Sequence, residues 1–337
     1  MSYRIGVNFV KPTDFARQLT AFLSDYLPGQ CGIKVNTIKS YRDTFALFLT
    51  FCGDVRNMKI EKMVISQVTP SLIEDFLTWL ETERGNSIST RNQRLAALHA
   101  FFRYVQKEEP SAILTCQQNL SIPFKKVAKP HVSYLSGETI KEIFAKPDLN
   151  TAVGRRDLCV LSVLYDTGAR VSELVNLKVH DVRLDEMPVV KLLGKGDKIR
   201  HVPLMAKTAQ ILTNYLSENK LDAPQFADYP LFFNRQHSKL TRTGVTYIIQ
   251  KYTGDEKVTP HIFRHSKAMH LLQSGVNIIY IRDLLGHVDI ATTEVYARAD
   301  TEMKRAALEK VYQDLTPKSM PTWENDKNLM AWLHSLI

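Results

Sequence analysis

Apolar residues recur over the first 110 positions at the three-and-four spacing of helices with one buried face. Over 13–27 the face is Phe15, Leu19, Phe22, Leu23 and Tyr26, with Asp14 in the first turn and Pro28-Gly29 as the stop. Residues 37–52 repeat it with Ile38, Tyr41, Phe45, Phe48 and Leu49. Residues 70–83 start at Thr69-Pro70 and carry Leu72, Ile73, Phe76, Leu77 and Leu80. Residues 89–107 follow Gly85-Asn86 and carry Leu95, Leu98, Phe102 and Val105. Four amphipathic helices with short connections predict a small helical bundle. The periodicity lapses over 108–136, where Pro110, Pro123 and Pro130 surround Phe124-Lys125-Lys126.

Beyond that break the pattern is mixed. Helices are predicted over 136–146, 153–165 (ending at Thr167-Gly168) and 172–177. Two β-like runs, 188–193 and 199–204, flank Gly194-Lys195-Gly196-Asp197, a hairpin signature. Helical periodicity returns over 206–218, 243–251, 260–273, 277–285 and 291–313. The prediction is a mainly α protein with a small antiparallel β-sheet, a helical domain preceding an α+β domain. The division is 1–115 for the helical domain, 116–135 for the linker, 136–315 for the second domain and 316–337 for a tail. In that tail 316–322 reads as a connector and 323–337 as an amphipathic segment with Trp323, Leu329, Met330, Trp332, Leu333 and Leu336. Such a segment docks on its own domain or on a neighbouring protomer.

A length of 337 residues suits two domains, and 44% hydrophobic with 23% charged residues excludes bulk disorder. No run approaches the roughly 18 apolar residues of a membrane span, and the N-terminus lacks a secretory apolar region. The four cysteines, Cys31, Cys52, Cys116 and Cys159, form no CxxC pair and read as reduced thiols of a cytoplasmic protein rather than a zinc or disulfide framework. The net charge is +9. Residues 1–130 hold 17 basic and 11 acidic residues, so most of the excess lies in the helical domain and linker. The 89–107 helix carries Arg91, Arg94, Arg103 and Lys107 with no acidic residue from Ser87 to Gln106. That is either an ordinary solvated face or a phosphate-tracking one.

Four local features bear on chemistry, each with an ordinary alternative. In Asp166-Thr167-Gly168-Ala169-Arg170-Val171-Ser172-Glu173, Arg170 falls at a helix N-terminus suited to an anion, or forms a surface pair with Glu173. The hairpin exposes Lys195 between glycines, as a reaching ammonium or a solvated turn lysine. In Thr259-Pro260-His261-Ile262-Phe263-Arg264-His265, His261 and Arg264 share a face. A metal reading of His261 and His265 lacks the Glu of HExxH and sets Arg264 beside the ion. Gly286-His287 ends a helix, and Tyr296 sits nine residues on, where a core aromatic is the plain alternative.

Taken together, two arginines, a lysine, two histidines and a tyrosine suit phosphodiester chemistry without a metal. Guanidiniums hold non-bridging oxygens, a tyrosine with a free pKa near 10 attacks when activated, and a lysine or histidine protonates the leaving 5′ oxygen.

The order and wording of these motifs resemble the tyrosine recombinase (phage-integrase, Xer-like) family through TGARVSELVNL, LLGKGDKIRHVPL, TPHIFRHSKAMHLL, DLLGH and TTEVYAR. TIKSYRDTFALFLTFC and STRNQRLAALHAFFRYV fit its core-binding domain less specifically, and the likeness spans roughly 12–300. The resemblance implies a helical core-binding domain and an α+β catalytic domain closing as a clamp on double-stranded DNA. It implies that Arg170 and Arg264 hold the scissile phosphate, Lys195 is the general acid, His261 acts as acid–base, and His287 supports phosphate and nucleophile. It makes Tyr296 the nucleophile joined to the 3′ phosphate, with Glu173 helping to hold the site. Arg91, Arg94, Arg103, Lys107, Lys125 and Lys126 are expected to contact DNA.

No cofactor and no membrane partner is implied. A homo-oligomer on DNA, dimer to tetramer, with exchanged C-terminal tails is implied, and accessory recombination proteins are candidate further partners. The run His265-Ser266-Lys267-Ala268-Met269 departs from many members and points to a mobile-element branch acting in integration, excision or transposition. The alternatives are a type IB topoisomerase-like nicking-resealing enzyme and a non-cleaving architectural DNA-binding protein.

Overall fold

Capping residues set most helix starts. Thr13, Thr69, Ser87, Ser136, Thr151, Thr241 and Asn277 each accept a hydrogen bond from a backbone N–H of the helix they open. The computed structural model describes residues 11–127, 133–194, 196–286, 293, 294, 296 and 327–335. The chain divides into two compact units, Met1–Lys129 and Pro130–Ile337.

The first unit contains α1 (Asp14–Ala21), α2 (Val35–Thr50), α3 (Pro70–Thr82), α4 (Ile88–Glu108) and α5 (Ile113–Leu120). α1 and α2 run on into wider π-helical turns over Phe22–Gln30 and Phe51–Val55, so the first helix passes through Pro28 instead of stopping there. Aromatic rings fill the core: Phe22 and Phe45 meet Phe101 edge-on at 5.5 and 5.2 Å between centroids. α5 lies in the stretch that lacked periodicity. Its Cys116 is fully buried and Asn119 donates to the Val68 carbonyl at 2.7 Å, so 113–122 belongs to the bundle. A helix of two turns is too short to show a periodic face.

The second unit runs α6 (Gly137–Ala145), α7 (Ala152–Thr167), α8 (Val171–Val175), β1 (Val182–Arg183), β2 (Val189–Leu193), β3 (Ile199–Pro203), α9 (Ala206–Glu218), α10 (Arg242–Thr253), α11 (Pro260–Gln273) and α12 (Ile278–Leu285). The strands form one antiparallel sheet in the order β1-β2-β3, and β1 extends the expected hairpin by two residues. The register pairs Val190 with Val202 and Leu192 with Arg200. α7 is the central helix: Cys159, Val160, Leu161, Val163 and Leu164 are all inaccessible. A smaller cluster of Ala268, Met269, Leu272, Ile281 and Leu285 seats the ring of Tyr296.

Cys52, Cys116 and Cys159 are buried, Cys31 is exposed, and all four are free thiols. Burial pushes the Cys52 thiol up to about 11 and those of Cys116 and Cys159 upward too, away from thiolate reactivity. Among the described residues no helix is long and apolar enough to cross a membrane. A short helix, Lys327–His334, lies in the expected tail and leaves Trp332 57% exposed; 316–326 and 336–337 lie outside the described residues.

Candidate active site

The site starts where α7 stops. Gly168 takes the left-handed conformation (φ 57°) and a Cβ there would meet Leu285 at 2.9 Å, so glycine serves both the turn and the close approach. Five residues on, Glu173 reaches back to the start of α8. One carboxylate oxygen accepts from the Arg170 amide at 2.8 Å, the other from the Arg170 guanidinium at 2.7 Å. Arg200 from β3 donates to both oxygens of the same carboxylate, at 3.0 and 2.7 Å. Glu173 is 5% exposed, so the expected surface pair is a buried carboxylate between two guanidiniums. Burial would raise its pKa, but the bonds from Arg200 and from the Arg170 amide outweigh it and hold the carboxyl below its usual range.

The second arginine comes from α11, whose first turn begins at Pro260 as the sequence predicts. Arg264 is 2% exposed and donates one amino group to the Gly168 carbonyl and the other to the Leu285 carbonyl, each at 2.6 Å. Both carbonyls sit at helix C-termini, where the backbone dipole favours a cation. Burial and the neighbouring Arg170 push its pKa down, yet a guanidinium stays charged at neutral pH. Arg170 donates to the Gly286 carbonyl at 3.3 Å, so the two arginines grip consecutive carbonyls of one turn. The described bonds use two of the five N–H donors on Arg264.

Tyr296 completes the cluster. It is 2% exposed, and its hydroxyl shares a hydrogen bond of 2.7 Å with Nδ1 of His265. Burial raises the phenol pKa, while Arg264 and Arg170 both act in the lowering direction. The His265 ring lies 4.3 Å from that of the more exposed His261. Desolvation, His261 and Arg264 push His265 down to about 4, and desolvation with Arg264 and Arg170 lowers His261. Both histidines are therefore neutral imidazoles at pH 7.

The fold thus gathers Arg170, Glu173, His261, Arg264 and Tyr296 from three segments. Lys195 and His287 lie outside the described residues. The glycines before them are described: Gly194 packs against Glu173 and Arg200, and Gly286 (φ 63°) packs against Arg200. Two participants were not read as such from the sequence. His265 figured as a metal ligand and as the first residue of a run that departs from many family members, and only folding brings it to Tyr296. Arg200 drew no notice, although strand alternation sets it on the face of buried Val202.

The cationic face expected on α4 needs a correction at two positions. Arg91 is 6% exposed and donates to the Pro123 carbonyl at 3.3 Å and to Asn92 at 3.1 Å. Arg94 donates to the Ser40 carbonyl at 3.1 Å and to the Thr44 hydroxyl at 3.0 Å. α4 is covered on more than one side by α2, α3 and α5, so these two guanidiniums tie the bundle together instead of pointing outward. Arg103, Lys107 and Lys126 are exposed, and Lys125 is half-exposed and paired with Glu81 at 2.5 Å.

Residues 133–303 match the family model described as the phage integrase family, and 19–109 match that of the phage integrase N-terminal SAM-like domain. A protein of Sinorhizobium fredii named as an integrase/recombinase (y4rC) is 34% identical over 97% of this chain and 99% of its own length. Tyrosine recombinase XerD of Listeria innocua is 32% identical over 86% of this chain and 95% of its own. Among solved structures, the XerH site-specific recombinase bound to its difH substrate in a pre-cleavage complex has a TM-score of 0.62 at 24% identity, covering 82% of this chain and 79% of that one. The Tn1549 transposon integrase in complex with transposon right end DNA has a TM-score of 0.65 at 18% identity, covering 86% and 98%. At those identities the two structures speak for the shared fold.

Proposed function

This chain belongs to the tyrosine recombinase family of the phage-integrase type, enzymes that cut and rejoin DNA strands, and from that premise we propose that it is a site-specific recombinase working through a 3′-phosphotyrosyl intermediate. The observation that carries the reading is the Tyr296 hydroxyl lying within hydrogen-bonding distance of His265 and in the field of Arg264 and Arg170. Double-stranded DNA is the substrate, and integration, excision or transposition of a mobile element is the task.

In the reaction, Arg170 and Arg264 hold the non-bridging oxygens of the scissile phosphate and stabilise the charge that builds on them. Their geometry is preset by the Gly168 and Gly286 turns, so little reorganisation accompanies the transition state. The Tyr296 oxygen gives its proton to the acid–base His261 and attacks phosphorus, and the P–O5′ bond breaks. The 5′ oxygen takes a proton from Lys195, while His261 serves as acid–base and His287 supports phosphate and nucleophile. Because Tyr296 is 2% exposed, a phosphodiester reaches its hydroxyl only once that hydroxyl is uncovered. The phosphotyrosyl ester keeps the energy of the broken bond, so a 5′ hydroxyl from a partner strand reverses the step without ATP. Protomers assemble on DNA, and exchange of the C-terminal segment couples neighbours.

The test is a suicide duplex nicked near the cleavage position. Wild type should form a denaturation-resistant protein–DNA adduct, in the presence of EDTA as in its absence. Tyr296→Phe should form none while binding DNA normally, and an adduct from Tyr296→Phe would overturn the nucleophile assignment. Strand exchange between two duplexes separates a recombinase from a type IB topoisomerase, and absence of any adduct would favour an architectural protein. Removal of 321–337 should weaken assembly on DNA more than single-protomer binding; unchanged assembly would refute tail exchange.

A further inference from the structure

We infer that Arg200 is a positioning residue for strand cleavage, holding the Lys195 hairpin in register with the arginine pair and with the turn that leads to His287; this rests on the recombinase reading above. Arg200 occupies an inward position of β3, opposite Leu192 and on the face of Val190 and Val202. Its side chain is 12% exposed. A guanidinium in such a place is costly unless its donors are satisfied. Here Nε donates to the Leu284 carbonyl at 2.9 Å, and the two amino groups take both oxygens of Glu173. One side chain therefore joins β3 to the carboxylate that orients Arg170 and to the last turn of α12.

Two glycines on separate segments report the same contact. A Cβ on Gly194 would lie 3.4 Å from an Arg200 amino nitrogen and 3.4 Å from a Glu173 oxygen. A Cβ on Gly286 would lie 3.0 Å from that nitrogen and 3.1 Å from Cδ of Arg200. Gly194 immediately precedes Lys195, and Gly286 immediately precedes His287. The backbones delivering both residues thus pack on one guanidinium, and without its planar fork the hairpin loses its reference to the phosphate clamp.

The experiment compares suicide substrates whose scissile position carries either the natural 5′ oxygen or a bridging 5′ sulfur. A thiolate leaves without a proton, so sulfur relieves the need for a placed general acid but not for the clamp. Arg200→Ala should cleave the oxygen substrate at least about ten-fold slower than wild type, well within the reach of general-acid catalysis. On sulfur it should return to within about three-fold of wild type, as Lys195→Ala should, while Arg170→Ala stays slow on both. Arg200→Lys keeps the charge without the fork and should show the same oxygen-specific loss in smaller measure; it decides the matter if Arg200→Ala does not fold. A wild-type rate on oxygen, or an equal loss on both substrates, overturns the inference. If Lys195→Ala is itself not rescued by sulfur, the general-acid assignment falls and the inference falls with it.

Discussion

Oη of Tyr296 and Nδ1 of His265 lie 2.7 Å apart, and the His265 ring in turn packs on His261. The bond joins the tyrosine segment to α11, the helix that also supplies Arg264. A neutral imidazole in this place matters, because a cation there would repel Arg264 and alter the proton balance of the phenol.

That neutrality predicts a pH dependence of stability. His265 has its folded pKa pushed down to about 4, below its ordinary value near 6.5. Between those values the unfolded chain binds more protons than the folded one. Stability is therefore complete above about pH 6.5 and lost progressively as pH falls toward 4. Thermal melting of wild type and His265→Gln from pH 7 to 4 checks this. The variant should show a shallower acid decline, and parallel curves would refute it.

Arg264 spans two carbonyls that one ammonium cannot reach together. Arg264→Lys should lower the adduct-forming rate by about 10²–10³-fold, the scale of losing an oriented transition-state donor, with DNA affinity changed only a few-fold. Single-turnover cleavage and a binding titration measure the two separately. A ten-fold or smaller rate loss would mean that charge alone suffices.

Gly286 and Gly254 make a matched pair. Both have positive φ, 63° and 72°, but a Cβ at Gly254 meets nothing within 4 Å while one at Gly286 meets Arg200. Alanine at either site should cost about 1–2 kcal/mol for the left-handed backbone. Only Gly286→Ala should also slow cleavage, by roughly ten-fold or more, because it displaces the guanidinium that orders the site. Equal cleavage rates for the two variants would remove Arg200 from that account.

Arg94 and Arg103 lie nine residues apart on α4 but differ in role. Arg94→Ala removes two hydrogen bonds between α4 and α2 and should cost about 1–3 kcal/mol, leaving the salt dependence of DNA binding as it was. Arg103 is exposed, so Arg103→Ala should leave stability within about 0.5 kcal/mol and reduce the slope of log affinity against log salt by about one. Chemical denaturation and binding at several salt concentrations distinguish them, and the reverse pattern would return Arg94 to the DNA-facing set.

The helices that bury one face were legible from periodicity alone, because an apolar stripe at 3.6-residue spacing has few other uses. Leu72, Ile73, Phe76, Leu77 and Leu80 were marked as core before folding and are buried. The hairpin around Gly194–Asp197 was legible from its turn chemistry, and the set Arg170, Glu173, His261, Arg264 and Tyr296 from motif order. α5 was not, since two turns show no stripe. The inward turn of Arg91 and Arg94 was not, because a helix covered on several sides has no polar face to read. His265 against Tyr296 and Arg200 against Glu173 are contacts across 31 and 27 residues. No local pattern encodes them. The sequence by itself marked the amphipathic helices, the hairpin and the candidate residues for the chemistry, because those are written in local spacing and motif order. Tertiary structure decided which guanidiniums gather beside Tyr296 and which, like Arg91 and Arg94, tie helices together inside the bundle, because that depends on the partners burial leaves within reach.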